Sequence, residues 1–374
     1  MGIVAFMRDK MVYIVFVLIA LSSYAGVYHR ELFISLKWLL PVSLFMMLFQ
    51  PMVYMDIRKA FTKSTEVKKK YLILVTLFYI ALFPTLTWAF LKLWLALLPN
   101  SDPRLVAGMV LISLAPLPSS APAFTNLAGG KFQLTLVGVI WTFLLSLFVM
   151  PVYAKLILHT VIEVPMVVLL KSLVLYIITP LVVGQLTKYA VLRWKGVDVF
   201  MRLKEPLVGV SLLGMYLMLP IVFGINGKMI AERPEFILAG AVIMNVYFIL
   251  RAAIAYFSGK SLGFPFDQNV SLVYSTGSNM TLATAIAIGT FGPLAAVGTA
   301  LGGPFSDMLL MILFVRLFGA LKRRVQVEVS TPAGEEHERS ECLSGNLQRF
   351  PLRINREGGS EEAGGGCSLH SEGP

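Results

Sequence analysis

The residues best suited to chemistry in this chain lie within an uncharged, hydrophobic stretch between Arg104 and Lys131. Three prolines interrupt the stretch, at Pro116, Pro118 and Pro122. Because proline removes an amide donor and clashes with the carbonyl four residues back, a helix is expected to break here. The freed backbone groups would need partners within the protein or a water-filled cavity if the stretch lies in a bilayer. The interruption also carries side-chain oxygens at Ser119, Ser120, Thr125 and Asn126.

A second interruption of a hydrophobic run lies at residues 275–281, which read Ser-Thr-Gly-Ser-Asn-Met-Thr. A hard cation such as sodium binds several oxygens, and the positive ends of half-helices attract an anion. Paired interruptions therefore predict two broken helices that form a binding site. The alternatives are a Pro-kinked, packed helix and hydroxyl groups that bond only to their own helix or across an interface. The candidate ligands in this second stretch are Ser275, Thr276, Ser278, Asn279 and Thr281.

Two charged residues, Arg251 and Asp307, lie deep within hydrophobic segments, where a charge is unfavourable and by default indicates function. We predict that Asp307 is the coupling carboxylate, which titrates a proton or binds sodium. Arg251 is then its partner or a ligand for an anionic substrate. The alternative is a purely structural pair of the two residues. Lys37, Lys92 and Lys171 lie nearer to segment ends and are expected to extend toward the membrane interface.

The composition is that of a polytopic membrane protein. The 374 residues are 57% hydrophobic and only 14% charged, and the mean hydropathy is +0.76, whereas roughly a quarter of the residues in soluble domains are charged. The net charge of +11 comes mostly from short loops and the termini, so it indicates orientation rather than nucleic-acid binding. The expected partner is therefore the lipid bilayer, and no nucleic acid is expected.

Ten hydrophobic segments are each near the ~20 residues needed to span the hydrocarbon core. They cover about residues 11–27, 33–56, 71–99, 105–128, 132–158, 163–187, 206–225, 234–258, 269–291 and 293–318. The first resembles a signal peptide in its basic start and in the small residues near its end. We interpret it as a helix because its apolar run is long for a signal peptide and because it completes the topology.

Basic clusters predict the orientation, because Lys and Arg accumulate on the cytoplasmic side. Three such clusters lie at residues 58–70, 188–204 and 322–324. Ten segments threaded between them place both termini in the cytoplasm, in a multi-pass protein of the plasma membrane. Five segments separate equivalent points of the two halves, so the halves face opposite ways.

An internal repeat supports this inversion. A shift of about 160 residues superposes Gly129 on Gly289 and Gly138 on Gly298, and it brings the two interruptions together. We therefore predict one five-helix repeat over residues 1–158 and a second, inverted repeat over residues 159–320.

Residues 321–374 are rich in Gly, Ser, Glu and Arg and have little to bury, so we predict a disordered cytoplasmic tail. Both cysteines, Cys342 and Cys367, lie in it and are expected to stay reduced. The four histidines lie at segment ends or in the tail. We expect no enzyme, because the hydrophobic part carries no zinc-type cluster or nucleophile elbow. The sequence leaves only a sodium ion open as a cofactor or bound metal.

At the two interruptions the chain resembles the bile acid/sodium symporter family and its arsenical-resistance relatives. The resemblance is carried by residues 114–116 and 124–130 in the first half and by residues 275–279 and 282–287 in the second. It covers about residues 5–320. It implies an all-α fold of about ten transmembrane helices in two inverted five-helix repeats. Broken helices four and nine would cross in a core domain beside a panel domain of segments one, two, six and seven, with the substrate between the domains.

The chain departs from the family at positions that the family uses. Sodium-coupled members carry a Ser-Asn pair where residues 121–122 read Ala-Pro, and an acidic residue and a Gln where this chain has Tyr274 and Ser278. Asn279 and Thr135 keep the family's polar types, so Thr135 joins the candidate ligands. Arsenical carriers use a membrane cysteine in segment four, and this chain has none there. The subfamily and the coupling ion therefore stay open.

The leading hypothesis is a secondary transporter that moves a small anionic solute by alternating access, coupled to a sodium or proton gradient. Its substrate, transport direction and oligomeric state are not determined by the sequence. An arsenite or arsenical efflux carrier, with an oxyacid as substrate, is the first alternative. An uncoupled channel or facilitator is the second, although the sequence contains no ring of charges or repeated carbonyl filter. A receptor or scaffold would leave both interruptions unexplained.

Overall fold

The computed structural model describes residues 4, 6, 7, 10–55 and 66–330 of the chain. Within these ranges every regular element is a helix, and no strand is present. The chain up to Lys322 forms one compact unit, and the residues from Arg323 onward belong to a second. The all-helical class predicted from the sequence is confirmed.

The first half of the chain contains both membrane-length helices and shorter pieces. In chain order the helices are α1 (Met11–Tyr28), α2 (Arg30–Ser35), α3 (Leu39–Tyr54), α4 (Glu66–Leu77), α5 (Phe83–Leu97), α6 (Pro103–Ser113), α7 (Ala121–Leu127) and α8 (Phe132–Leu158). A π-helical turn, Phe78–Leu82, joins α4 to α5.

The second half has the same mixture of long and short helices. They are α9 (Met166–Leu173), α10 (Thr179–Trp194), α11 (Gly196–Arg202), α12 (Lys204–Ile225), α13 (Gly227–Glu232), α14 (Pro234–Ser261), α15 (Phe266–Tyr274), α16 (Met280–Phe291), α17 (Pro293–Gly302) and α18 (Met308–Ser330). Two further π-helical turns, Val174–Ile178 and Gly303–Asp307, join α9 to α10 and α17 to α18.

Five helical rods in the described ranges are long and apolar enough to cross a bilayer. Large apolar side chains such as Phe148 and Leu238 remain exposed on them, as expected where a helix faces lipid. Shorter apolar helices, among them α3, α6 and α16, add to the apolar surface. The chain is therefore a multi-pass membrane protein. The five rods are Val67–Leu97, Phe132–Leu158, Met166–Trp194, Gly196–Ile225 and Pro234–Ser261.

Both predicted interruptions are breaks in helices. The first break spans residues 114–120, between α6 and α7. Pro122 lies just beyond it, in the first turn of α7, where a helix needs no amide donor. The second break spans residues 275–279, between α15 and α16, and is shorter than predicted. It ends early because Asn279 caps α16, so that Thr281 already lies within this helix.

Two predicted boundaries differ from the structure. The basic stretch 188–204, predicted to be a loop, is mostly helical and consists of the end of α10, α11 and the start of α12. Lys and Arg are good helix formers, so a basic stretch need not be a loop. The last helix continues to Ser330, past the predicted boundary at residue 320. The basic residues at 58–63 and the chain from residue 331, with both cysteines, lie outside the described residues.

Proline explains the π-helical turn between α4 and α5. Pro84 lacks the amide that would donate to the carbonyl of Ile80, and the hydroxyl of Tyr153 donates to that carbonyl instead, at 2.6 Å. The amide of Phe83 bonds to the carbonyl five residues back. Turns of this kind often lie at functional positions, and this one places Phe83 against a buried arginine.

Helices α6 and α17 pack so closely that only glycine fits at their crossing. A β-carbon at Gly108 would lie 1.9 Å from the carbonyl oxygen of Ala295, and one at Gly298 would lie 2.1 Å from that of Leu105. Both distances are to backbone atoms, which cannot move aside as the end of a side chain can. Small residues allow such close approach between helices in membranes.

We expect Gly298→Ala to destabilise the folded protein by about 3 kcal/mol or more, the upper end of overpacking effects, because α6 and α17 would have to separate. The melting temperature of the detergent-solubilised protein measures this effect. Gly319→Ala is the matched control, since a β-carbon there has nothing within 4 Å and alanine favours a helix. Equal melting temperatures for the two variants would contradict the close packing.

Candidate functional site

The two breaks touch each other in the folded chain. The amide of Asn279 donates a hydrogen bond of 2.7 Å to the carbonyl of Pro116, which joins the second break to the first. A β-carbon at Gly277 would lie 3.3 Å from Cδ of Pro118 and 2.0 Å from Cε of Met311, so glycine permits this approach. Four half-helices, α6, α7, α15 and α16, therefore end around one point.

Side chains from other helices satisfy backbone groups that the first break frees. The hydroxyl of Tyr79 donates to the carbonyl of Leu114 at 2.8 Å. The amide of Leu117 donates to Thr142 Oγ1, on α8, at 3.2 Å. Sequence reasoning missed Tyr79 and Thr142. A hydroxyl group within an apolar segment, which needs a partner in a bilayer, is the signal that could have found them.

Two side chains of the second break bond to the backbone close to them in the chain. Asn279 Oδ1 accepts a hydrogen bond from the amide of Leu282 at 3.1 Å and so caps α16. Thr276 Oγ1 donates to the carbonyl of Val273 at 2.7 Å. Thr281 is half-buried in the first turn of α16. Asn279 and Thr276 therefore hold the local backbone in place.

A chain of hydroxyl groups connects the two broken segments beside the breaks. Thr125 Oγ1 donates to Thr135 Oγ1 at 3.0 Å. Thr135 and Ser275 both interact with the hydroxyl of Tyr71, on α4. All four side chains are buried. The structure thus brings together three predicted site residues through Tyr71, which sequence reasoning missed.

The two buried charges meet at Ser278. Arg251, on α14, is 0% exposed, and Asp307, at the end of a π-helical turn, is 8% exposed. Arg251 Nη1 donates to Ser278 Oγ at 3.0 Å, while the amide of Ser278 donates to Asp307 Oδ2 at 3.2 Å. Within the described part of the chain the two charges form no direct ion pair. Ser278 is therefore the link between them.

Arg251 also contacts the end of α6 and two aromatic rings. Its Nη1 donates to the carbonyl oxygen of Ser113 at 3.3 Å and to Tyr247 Oη at 3.5 Å. Its Cζ lies 3.5 Å from the ring centroid of Phe83, which is a cation–π contact. One guanidinium group therefore contacts the end of α6, through Ser113, and the second break, through Ser278.

The remaining predicted residues lie on an exposed face at the start of α7. Ser119, Ser120, Ala123 and Asn126 are all exposed and follow helical spacing, whereas Thr125 is buried. Hydroxyl and amide groups are unfavourable against lipid. We therefore expect this face to border a water-filled crevice, in which its polar side chains are accessible to a solute.

A cavity of about 620 Å³ opens where four helix junctions meet: α2–α3, α5–α6, α12–α13 and α16–α17. Partial burial acts to raise the pKa of Asp102 in this cavity, but the hydrogen bonds from Arg104 outweigh it and hold that pKa below its usual value. Lys37 is exposed here, and Lys92 and Lys171 are exposed elsewhere. Cationic side chains outnumber anionic ones around the cavity, so its interior is positively charged. The cations are Arg30, Lys37, Arg104 and Lys228, and the anions are Asp102 and Glu232.

A clasp of three residues joins the loop after α7 to the start of α15. Lys131 Nζ lies 3.1 Å from Asp267 Oδ2. The amide of Lys131 also donates to the carbonyl of Asp267 at 3.2 Å and to Ser271 Oγ at 2.8 Å. This clasp of Lys131, Asp267 and Ser271 holds the ends of the two broken segments together.

The arrangement offers oxygen ligands and one guanidinium group rather than a transition-metal centre. Hydroxyl, carbonyl and carboxylate oxygens suit a hard cation or a hydrogen-bonding solute. In the ranges that the structure describes, no group of three or more His, Cys, Asp and Glu side chains could hold a metal ion.

The chain is similar in sequence to proteins of one known family. The profile of the Sodium Bile acid symporter family matches residues 41–233, just over half of the chain. The arsenical-resistance protein Acr3 of Alkaliphilus metalliredigens is 30% identical over 190 residues, which are 50% of this chain and 53% of that protein. Acr3 of Corynebacterium glutamicum is 23% identical over 256 residues, 64% of this chain and 66% of that protein.

The chain thus spans between about half and two thirds of the length of these curated relatives. The family predicted from the sequence is confirmed by this match, whose residues include the first interruption and not the second. The chain belongs to the Sodium Bile acid symporter family, a family of secondary transporters and not of enzymes.

Proposed function

We propose that the chain is a secondary transporter that moves a small anionic solute across the plasma membrane by alternating access. The observation that carries this proposal is the contact between two broken helices where Arg251, Ser278 and Asp307 meet. Broken helices form the substrate and ion sites of secondary transporters, because half-helix ends and unwound backbone offer polar groups to a ligand. Membership of a symporter family supports the same function.

The proposed transporter has about ten transmembrane segments in two inverted repeats, residues 1–158 and 159–320, with both termini in the cytoplasm and the tail 321–374 beyond them. The two breaks lie about 160 residues apart, as such a repeat requires. The 620 Å³ cavity supports the topology, because it gathers four helix junctions that the basic clusters place on the outer side.

Helix packing supports a division into a panel and a core domain. Helix α12 packs on α1 and α3, and α10 packs on α3. These are the segments assigned to the panel. Helix α6 packs on α16 and α17, and α14 packs on α15 and α17. These belong to the core, so the solute site lies where the broken core segments face the panel.

The proposed solute path has polar groups at both ends. In this topology α7 lies on the cytoplasmic side. The exposed residues Ser119 and Ser120, just before it, and Asn126, within it, border the inner crevice. The outer cavity, with its excess of cations, attracts an anion from the other side. The N-terminus of α16 lies between them and adds a partial positive charge at the second break.

Asp307 is the proposed coupling carboxylate, which takes up a proton or binds a sodium ion. Its Oδ1 would lie 3.3 Å from a β-carbon at Gly277, so the carboxylate sits directly against the second break. A cavity of about 10 Å³ borders it, close to the space that one water needs. A change of charge at Asp307 would act on Arg251 through Ser278 and so on both breaks.

We expect Asp307→Asn to abolish the dependence of transport on pH or sodium, because asparagine keeps the shape but cannot titrate or carry the negative charge. Uptake into proteoliposomes, measured across a pH range in sodium and in choline, tests this. Asp198→Asn, on the exposed surface of α11, is the matched control and should keep the wild-type profile. A wild-type profile in the Asp307 variant would leave this residue a purely structural role.

We expect the double variant Lys37→Glu, Lys228→Glu to raise the KM for an external anionic solute roughly tenfold at low ionic strength, because the outer cavity loses its positive potential. The difference should shrink as salt screens the charges. Lys204→Glu, exposed at the start of α12 on the proposed cytoplasmic side, is the control for net charge. An unchanged KM in the double variant would show that the outer cavity does not guide the solute.

An arsenite or arsenical efflux carrier is the second candidate, because both relatives are named arsenical-resistance proteins. The chain has no cysteine before Cys342, so arsenic would have to bind as an oxyacid through hydroxyl and amide groups. Flux into proteoliposomes with bile acids, short organic acids and arsenite, under imposed sodium or proton gradients, separates the two candidates. If arsenite is the only solute transported, arsenite takes the place of the organic anion as the proposed substrate.

A further inference from the structure

The guanidinium group of Arg251 lies between the end of α6, next to the first break, and the second break. Its Nη1 donates to the carbonyl oxygen of Ser113, the last residue of α6 before the first break, at 3.3 Å, and to Ser278 Oγ in the second break at 3.0 Å. The carboxylate of Asp307 is bonded to the same serine, because it accepts a hydrogen bond from the amide of Ser278 at 3.2 Å. Carbonyl, hydroxyl and carboxylate oxygens at unwound helix segments are the ligands that bind hard cations in secondary transporters.

We propose that the guanidinium group of Arg251 is a built-in cation, held where a free sodium ion would otherwise bind, so that the chain transports its solute without sodium. Of the two ions that Asp307 could couple to transport, this inference leaves only the proton. Arginine suits this role because its side chain stays protonated at every physiological pH. A tethered cation cannot leave for either side of the membrane, so a sodium gradient cannot act through this position. The inference rests on the proposed function and deepens it, since it names the group that fills the cation position.

Burial and aromatic contacts distinguish this role from the binding of an anionic solute. The side chain of Arg251 is 0% exposed, and the ring of Phe83 covers its Cζ at 3.5 Å. Nε and Nη2 have no hydrogen-bond partner among the described residues, and the negative face of the ring stabilises their charge instead. A solute would have to displace Phe83 or Tyr247 before it could reach the guanidinium group.

Removal of the guanidinium group should leave a site for a free cation. The carbonyl oxygen of Ser113 and Ser278 Oγ would remain at the vacant volume. The carboxylate of Asp307 would remain beside them, bonded to the amide of Ser278. A buried carboxylate without a compensating charge is strongly unfavourable, which favours uptake of a cation from solution. Arg251→Ala is therefore expected to convert a sodium-independent protein into a sodium-binding one.

The test compares the purified full-length wild type with Arg251→Ala in sodium chloride and in choline chloride at equal ionic strength. In the wild type we expect the same melting temperature and the same transport rate in both salts. In Arg251→Ala we expect a lower melting temperature in choline, which sodium or guanidinium ions raise because they bind the folded state. Its transport in choline should be about tenfold below wild type, because the buried carboxylate is unpaired, and either ion should partly restore it.

Three further variants test whether the response belongs to this position. Arg251→Lys keeps a cation and should remain insensitive to sodium. The double variant Arg251→Ala, Asp307→Asn lacks the carboxylate and should lose the sodium response. Arg233→Ala, at an exposed position between α13 and α14, is the matched control and should behave as the wild type in both salts. If Arg251→Ala does not fold, Arg251→Met offers an unbranched side chain for the same comparison.

Two results would overturn the inference. One is sodium stimulation of the wild type, in transport or in melting temperature. The other is a folded Arg251→Ala or Arg251→Met protein whose melting temperature responds to neither sodium nor guanidinium. The melting temperature does not depend on transport, so it tests the built-in cation even if the wild type moves none of the solutes tried. A wild type that transports none of these solutes would count against the proposed function and not against the built-in cation.

Discussion

A bilayer cannot hydrogen-bond to the backbone groups that a broken helix exposes, and this constraint arranges the helices around both breaks. The carbonyl of Leu114 is bonded by Tyr79, and the amide of Leu117 is bonded by Thr142. The carbonyl of Ser113 is bonded by a residue of α14. Three different parts of the chain thus have to be in place before the first break is tolerable, so the site and the fold depend on the same contacts.

The buried charges follow the same logic. A guanidinium group in the bilayer is tolerated only where hydrogen-bond acceptors or aromatic rings surround it. Arg251 meets this condition with acceptors from the end of α6 and the second break and with the ring of Phe83. In return it fixes the distance between the breaks. Ser278 has two roles at once, since its hydroxyl accepts from Arg251 while its amide donates to Asp307.

Composition predicted the all-helical membrane class, and local backbone chemistry predicted the two helix breaks. Proline and glycine act on their own backbone, so the interruptions at 114–120 and 275–279 are visible in the sequence. The partners of the freed groups are not visible, because Tyr79 and Leu114 meet only after the helices pack and their rotation is set by a π-helical turn. The link between the two charges through Ser278 likewise forms only when the helices pack, so the sequence does not show it.

The basic stretch at 188–204 shows that the positive-inside rule does not predict secondary structure. Lys and Arg report the side of the membrane, but they do not decide between loop and helix, and here they lie in helices. The family resemblance was carried by the residues at the two breaks, and the family match includes the first of them.

The clasp of Lys131, Asp267 and Ser271 has a mechanical consequence. It ties the loop after α7 to the first two turns of α15 through an ion pair, a backbone hydrogen bond and a bond to the hydroxyl of Ser271. Neither segment can swing by itself without breaking all three bonds. A displacement of the loop after α7 is therefore transmitted to the start of α15. A solute bound between these two segments would move with both of them as one rigid unit.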